Sequence, residues 1–120
     1  MQNDEIEELF KKIASTPGVS QLAIFDADGN LLKTNIDSQE LIEKIISKSL
    51  VLLDTVFSTL KKYGSGDKIN LLSIRVNTDR GNIYVIRGKY FSLAFLQQAG
   101  LTIDEKKIIQ MLQKIQEKFT

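Results

Sequence analysis

The stretch from residue 69 to 97 constrains the fold of this 120-residue chain more than any other. It contains three apolar segments, INLLSIRVN, NIYVIR and YFSLAFLQQ, and none of them has helical periodicity. The short turns TDRG and GK separate the segments, and connections of this length force neighbouring strands to run antiparallel. The sequence therefore predicts a three-stranded meander in this part of the chain.

A second pair of strands is predicted around the segment FDADGNLLK. Its Asp28-Gly29 pair lies between the apolar runs LAIF and LLKT, which is a strong hairpin signal because glycine tolerates a positive φ. The spaced acidic residues also resemble an EF-hand calcium loop. With Asp26 in the first position, however, Leu31 takes the sixth position, which needs glycine, and Asp37 takes the twelfth, which needs Glu. We therefore interpret the segment as a hairpin turn without a metal ion.

Three other segments have the periodicity of amphipathic helices. We expect the first over residues 3–15, the second over residues 37–63 and the third after residue 102. The expected N-terminal caps are Asn3 or Asp4 for the first helix, Asp37 for the second and Thr102 for the third, the last two because a Glu follows three residues later. The predicted fold is a single α+β domain, residues 1–120, with a five-stranded antiparallel sheet flanked by helices in the order α-β-β-α-β-β-β-α.

The composition excludes several classes of function. The chain has no His and no Cys, so a Ser-His-Asp triad, a Cys-His dyad and a typical zinc site cannot form within it. Its net charge of +1 gives no electrostatic reason to expect binding to nucleic acid or to an anionic membrane surface. No apolar run approaches the roughly 20 residues of a membrane span, and the acidic N-terminus is unlike a signal peptide. We expect a cytoplasmic protein with no catalytic, cofactor or metal site.

The second helix has an unusually wide apolar face. At about 100° per residue, its apolar residues spread over roughly half of the circumference, although a helix on one sheet needs a stripe of only about 100°. These residues are Leu41, Ile42, Ile45, Ile46, Leu50, Leu52, Leu53, Val56, Phe57 and Leu60. Two interpretations remain open: a helix wedged into a monomer core between the other two helices, or a helix that also meets its copy across a two-fold axis.

Over nearly its whole length the sequence resembles the roadblock family, small domains named after a dynein light chain. The segment PGVSQLAIFDADGNLLKTN is similar to the family's opening hairpin, and LLSIRVNTDRGNIYVIRGKYFSLAFLQQAG is similar to its meander. The predicted helix over residues 3–15 favours this family over longin domains, which have a related fold but lack a leading helix.

The resemblance implies a homodimer in which the long central helices pack side by side and the third strands pair edge to edge. Such pairing would cover the segment INLLSIRV, which has no Pro and few charges and would invite aggregation as a free edge. The dimer interface predicted in this way comprises Ile42, Ile45, Ile46, Leu53, Val56, Phe57, Leu71, Ser73 and Arg75.

Members of the family are mostly non-catalytic platforms, and bacterial and archaeal members are often linked to small Ras-like GTPases as partners or as GTPase-activating proteins. The resemblance thus implies a regulator or scaffold that binds a small Ras-like GTPase. We expect the partner to bind the opposite, mostly polar face of the long helix, at Glu40, Lys44, Ser47, Val51, Asp54 and Thr55.

Other functions leave weaker signals in the sequence. Arg80 is the only arginine on an expected loop, but beside Asp79 it is interpreted as a solvated turn residue and not as an arginine finger. The segment YGSGDK lacks the phosphate-loop pattern and is interpreted as a link. A PAS- or GAF-like sensor of small molecules stays open, although only Tyr84 and Tyr90 would offer polar groups to a pocket in the meander. A scaffold for a partner other than a GTPase stays open as well.

Overall fold

The computed structural model describes residues 2–64, 69–79, 81–98 and 100–119. Its elements are α1 (Gln2–Ala14), β1 (Val19–Asp26), β2 (Leu31–Thr34), α2 (Gln39–Lys62), β3 (Leu72–Thr78), β4 (Gly81–Arg87), β5 (Phe91–Gln98) and α3 (Glu105–Glu117). The α+β class and the predicted order of elements are confirmed. Residues 65–68 of the predicted link, and Arg80, lie outside the described residues.

The five strands form one antiparallel sheet in the order β2-β1-β5-β4-β3. The predicted hairpin and the predicted meander are both present, and β1 joins them by pairing with β5, from Val19 opposite Gln97 to Asp26 opposite Phe91. β3 begins at Leu72, three residues later than the predicted segment. Because β3 pairs only with β4 in the described part of the chain, it forms one edge of the sheet.

Different helices cover the two faces of the sheet. Alternation along β1 directs Leu22 and Ile24 towards α1 and α3, and Ala23 and Phe25 towards α2. The buried residues on the first face are Ile6, Leu9, Ile13, Leu22, Ile24, Tyr84, Ile86, Phe91, Leu93, Phe95, Ile108, Leu112 and Ile115. Those on the second face are Ala23, Phe25, Ile36, Ile42, Ile46, Leu53, Val85 and Ala94. None of the described helices has the length and apolar composition needed to cross a membrane.

The predicted caps of α2 and α3 are wrong, by one and by two residues. Ser38 caps α2, because its Oγ accepts a hydrogen bond from the backbone N of Leu41 at 3.2 Å. Asp104 caps α3 in the same way, with its Oδ1 3.1 Å from the backbone N of Lys107. α1 begins at Gln2, so Asn3 and Asp4 lie inside its first turn. Neighbouring Asp, Ser and Thr residues offer equivalent oxygens, and the point at which the chain leaves the extended conformation selects the cap.

The turn between β1 and β2 is organised by the carboxylate of Asp26. Its Oδ1 accepts hydrogen bonds from the backbone N of Asp28 and of Asn30, both at 2.9 Å, and its Oδ2 accepts one from Asn30 Nδ2 at 3.1 Å. These bonds, led by that from the Asn30 backbone, hold the pKa of Asp26 below its ordinary value. Gly29 has a φ of +88°, which glycine adopts readily because it has no Cβ, so the turn requires glycine at this position. In the described part of the chain, no group of three or more acidic, His or Cys side chains is placed to hold a metal ion.

Candidate interaction surface on the long helix

Part of the wide apolar face of α2 packs on the chain's own sheet. Ile42, Ile46, Ser49 and Leu53 are buried, and Leu53 is only 1% exposed. The interpretation that the other two helices flank α2 is wrong, because α1 and α3 cover the opposite face of the sheet. Full burial of a leucine or isoleucine side chain is worth roughly 1.5–3 kcal/mol, so these residues stabilise the folded chain itself.

The remaining part of that face borders an open groove. One wall is formed by Ile45 and Leu52 of α2, and the floor by Val76, Ile83 and Leu96 at one end of the sheet. The groove has a volume of about 290 Å³, and Lys44 and Lys48 lie on its rim. Val76 and Ile83 are 42% and 40% exposed, although both are large apolar residues. We call this feature the open groove; it is the part of the α2 side of the sheet that α2 leaves uncovered.

The open groove is continuous with the free edge of β3. Val76 belongs to both, because it is a residue of β3 and lines the groove. Ser73 and Arg75 alternate with the groove-facing residues and point to the other side of the sheet, where Ser73 Oγ donates a hydrogen bond to Glu105 Oε1 at 2.6 Å. The groove and the edge therefore form one surface with apolar side chains and unpaired backbone groups.

The residues predicted for a dimer interface fall into several places. Ile42, Ile46 and Leu53 are committed to the chain's own core, and Phe57 lies on the side of α2 away from the groove, against Arg87. Ile45 lies in the open groove. Val56, Leu71 and Ser73 are half-buried, and Arg75 is exposed. Their role in a dimer stays a prediction.

Sequence reasoning placed Leu52 on the wide apolar face of α2 but left it out of the predicted dimer interface, and it assigned neither Val76 nor Ile83 to this surface. One signal was available for Leu52, since a step of about 100° per residue places it beside Ile45. Val76 and Ile83 are direct cross-strand partners, so strand alternation puts them on one face once the register is known. No local pattern shows that α2 stops short of this end of the sheet.

The outward face of α2 is polar. Glu40, Lys44, Ser47, Val51, Asp54 and Thr55, the predicted partner-binding residues, are all exposed. Lys44 Nζ lies 3.1 Å from Glu40 Oε1, an exposed ion pair of little energetic value. Val51 is 65% exposed and is the only apolar member of the set. The structure thus brings these six side chains to one accessible face, and their binding to a partner stays a prediction.

Known structures share this fold at low sequence identity. MglB from Myxococcus xanthus matches with a TM-score of 0.78 and 14% identity, covering 98% of this chain and 92% of that protein. The Roadblock/LC7 domain from Streptomyces avermitilis matches with a TM-score of 0.68 and 14% identity, covering 94% and 89%. A structure of MglB with a tetrameric arrangement matches with a TM-score of 0.70 and 12% identity, covering 95% and 84%. No protein-family model and no curated protein gives a significant match to the sequence. The roadblock fold implied by the sequence resemblance is confirmed.

Proposed function

We propose that this chain, which has the roadblock fold, is a homodimeric and non-catalytic regulator of a small Ras-like GTPase in the cytoplasm. The observation that supports a dimer is that the open groove is continuous with the free edge of β3. The link to a GTPase rests on what the sequence resemblance implies for this fold. The tetrameric arrangement of MglB supports self-association as a use of the fold.

A second copy of the chain is the occupant that fits this surface. The wall of the groove is itself the side of α2 that carries Ile45 and Leu52, so a two-fold axis would pack these residues against their copies. Pairing of two β3 strands would provide hydrogen-bond partners for the backbone N–H and C=O groups on the edge of β3 that faces away from β4. The same two-fold axis would place the outward faces of the two α2 helices next to each other as one polar platform.

The GTPase would bind that platform. Its surface carries both signs of charge, with Lys44 and Glu40 side by side. Val51 and Asp54 follow about two and three turns beyond Lys44 along α2. Bound there, the regulator would hold the GTPase in one nucleotide state or position the catalytic groups of the GTPase itself. The proposal does not invoke an arginine from this chain.

Affinity capture from a lysate of the source organism tests the proposal, with excess GDP in one arm and a non-hydrolysable GTP analogue in the other. We expect a small GTPase to be enriched in one arm, and a hydrolysis assay with that GTPase then separates activation from passive binding. The double variant Lys44→Glu, Val51→Asp should keep the dimer mass and capture less of the GTPase. Lys106→Glu, an exposed residue of α3 on the opposite face of the sheet, is the control and should capture as much as the unchanged chain.

Two results would contradict the proposal. A chain of dimeric mass that captures no GTPase in either arm would be a scaffold for another partner. Equal capture by the double variant would move the binding surface away from the outward face of α2.

A further inference from the structure

A second recess lies on the other side of α2, at the end of the sheet opposite the open groove. Arg87 and Ser92 are cross-strand partners there, two residues beyond the Val85 and Ala94 pair that packs under α2. Strand alternation therefore directs both side chains to the α2 side of the sheet. The recess has a volume of about 210 Å³, and its walls include Leu53, Asp54, Phe57 and Leu72 together with Arg87 and Ser92. We call it the Arg87 pocket.

The guanidinium of Arg87 is held in place without being fully paired. Its central carbon lies 4.5 Å from the centroid of the Phe57 ring, in cation–π geometry. The Oδ1 atom of Asp54 is 3.9 Å from Nη1 of Arg87, which is beyond hydrogen-bond distance. Among the described residues no hydrogen bond is made by this side chain. The ring covers one face of the guanidinium, so the in-plane N–H groups remain available to a ligand.

The hydroxyl of Ser92 is also unused. The residue is only 4% exposed, and its Oγ makes no hydrogen bond to any described residue. Among the described residues, every side-chain oxygen or nitrogen that is fully enclosed has a hydrogen-bond partner. Because Ser92 Oγ has none, it is not fully enclosed, and its small exposed surface faces the pocket that Ser92 lines. A polar group in such a position gains free energy from a ligand that bonds to it.

The charges and walls of the pocket define the class of ligand. Arg87 and Lys89 line it with positive charge and Asp54 with negative charge, which leaves a net charge of +1. Leu53, Phe57 and Leu72 supply apolar walls beside these groups. A guanidinium presents parallel N–H donors that match the two oxygens of a carboxylate. The ligand that fits is an anion with a planar pair of oxygens attached to an apolar group.

We propose that the Arg87 pocket binds a small organic acid, whose carboxylate pairs with Arg87 and Ser92 while its apolar part contacts Phe57 and Leu72. This function goes beyond the proposed GTPase regulator. It depends neither on a dimer nor on a GTPase, because all of these groups lie in one copy of the chain.

The probe for this site is phenylacetate, titrated into the ¹⁵N-labelled full chain and followed by amide chemical shifts. We expect saturable shifts confined to residues 50–57, 69–72 and 87–92. Arg87→Gln should weaken the affinity at least tenfold, since it removes the charge and the paired donors, and Ser92→Ala should weaken it severalfold. Lys106→Gln is the control, because Lys106 is an exposed cation of α3 outside the pocket and outside the predicted dimer interface, and it should leave the affinity unchanged.

Several results would overturn the proposal. Equal affinity of Arg87→Gln, or of the uncharged phenylacetamide for the unchanged chain, would show that no carboxylate is recognised. Tighter binding of inorganic phosphate would make the site a phosphate site. Tighter binding of the tripeptide Gly-Gly-Phe, lost when its terminus is amidated, would make the ligand a polypeptide terminus and not a small acid. A dispersed spectrum of Arg87→Gln shows that lost binding does not come from lost folding, and Ser92→Ala gives an independent reading.

Discussion

The hydroxyl of Tyr84 donates a hydrogen bond to Oε1 of Gln97 across 3.0 Å, within the core beneath α1 and α3. Asn82 Nδ2 donates a second bond to the same oxygen at 2.8 Å, and Gln97 Nε2 donates to the backbone O of Leu101. The Tyr84 ring also stacks on Phe95, with centroids 4.9 Å apart. One amide therefore satisfies several polar groups inside an otherwise apolar layer.

We expect Gln97→Leu to destabilise the chain more than Tyr84→Phe. The phenylalanine keeps the ring stack and leaves Gln97 Oε1 bonded to Asn82, so its cost is about 1 kcal/mol. The leucine leaves the buried Tyr84 hydroxyl without a partner, which costs a further 1–3 kcal/mol, roughly. Urea unfolding followed by circular dichroism measures both changes. Equal losses for the two variants would mean that Tyr84 reaches another acceptor.

Leu52→Glu should convert the proposed dimer into a monomer, because it places a charge on the apolar wall of the open groove. Leu52 is only half-buried in one copy, so the fold should persist. Val51→Glu, one residue away on the outward face, is the matched control and should keep the dimer mass. Light scattering after size exclusion gives the mass. An unchanged mass for Leu52→Glu would remove this groove from the interface.

Leu53→Glu is unsuitable as a test, because a charge at a residue 1% exposed would unfold the chain.

Gly88→Ala should be destabilising by about 1–3 kcal/mol, because an added methyl group collides with a buried side chain. A Cβ at this position would lie 2.7 Å from Cδ of Gln116, which is itself 7% exposed and has little room to move. Gln116 Oε1 accepts a hydrogen bond from the backbone N of Tyr90 at 2.9 Å, so moving the amide also breaks that bond. Thermal unfolding of the single and double variants measures the effect. In a Gln116→Ala background the same glycine change should cost much less, and additive losses would show that the collision is not the cause.

Asp26→Ala should destabilise the chain by about 1 kcal/mol at neutral pH, because it removes the acceptor that organises the first turn. The folded-state pKa of Asp26 is lowered, so its stabilising effect is present above the unfolded pKa and is lost as the pH falls through the folded pKa. The difference in melting temperature from the unchanged chain should therefore shrink below about pH 4. Asp28→Ala is the control at the same turn, because the Asp28 carboxylate accepts no hydrogen bond among the described residues, and it should show almost no difference at any pH. A difference that stays constant with pH would contradict this account.

The sequence was sufficient for the order of elements because its signals are local. The Asp28-Gly29 turn, the short connections of the meander and the apolar period of each helix all depend on residues a few positions apart. The N-terminal caps failed for the same reason: Asp37 and Ser38 are both able to cap, and the choice depends on where the backbone turns. The resemblance to the roadblock family added the fold that the structural matches confirm.

The candidate surfaces were less predictable, because they depend on how α2 lies across the sheet. The width of its apolar face indicated contacts beyond one sheet, but periodicity does not separate Ile46, which is in the core, from Ile45, which lines the open groove. Arg87 and Phe57 are 30 positions apart in the sequence, and nothing near either of them indicates that they stack. Such pairs arise only from tertiary packing.

The position of β1 between β2 and β5 has a consequence for synthesis on the ribosome. The first hairpin can form as soon as its residues emerge, but one side of β1 has no partner until β5, which ends at Gln98, has been made. Pairing across this sequence separation carries a loop-closure cost that local hairpins do not, so we expect it to be the slow step of folding. A chain truncated before Phe91 would leave β1 as an apolar strand with an open edge, which is a template for aggregation and a substrate for chaperones.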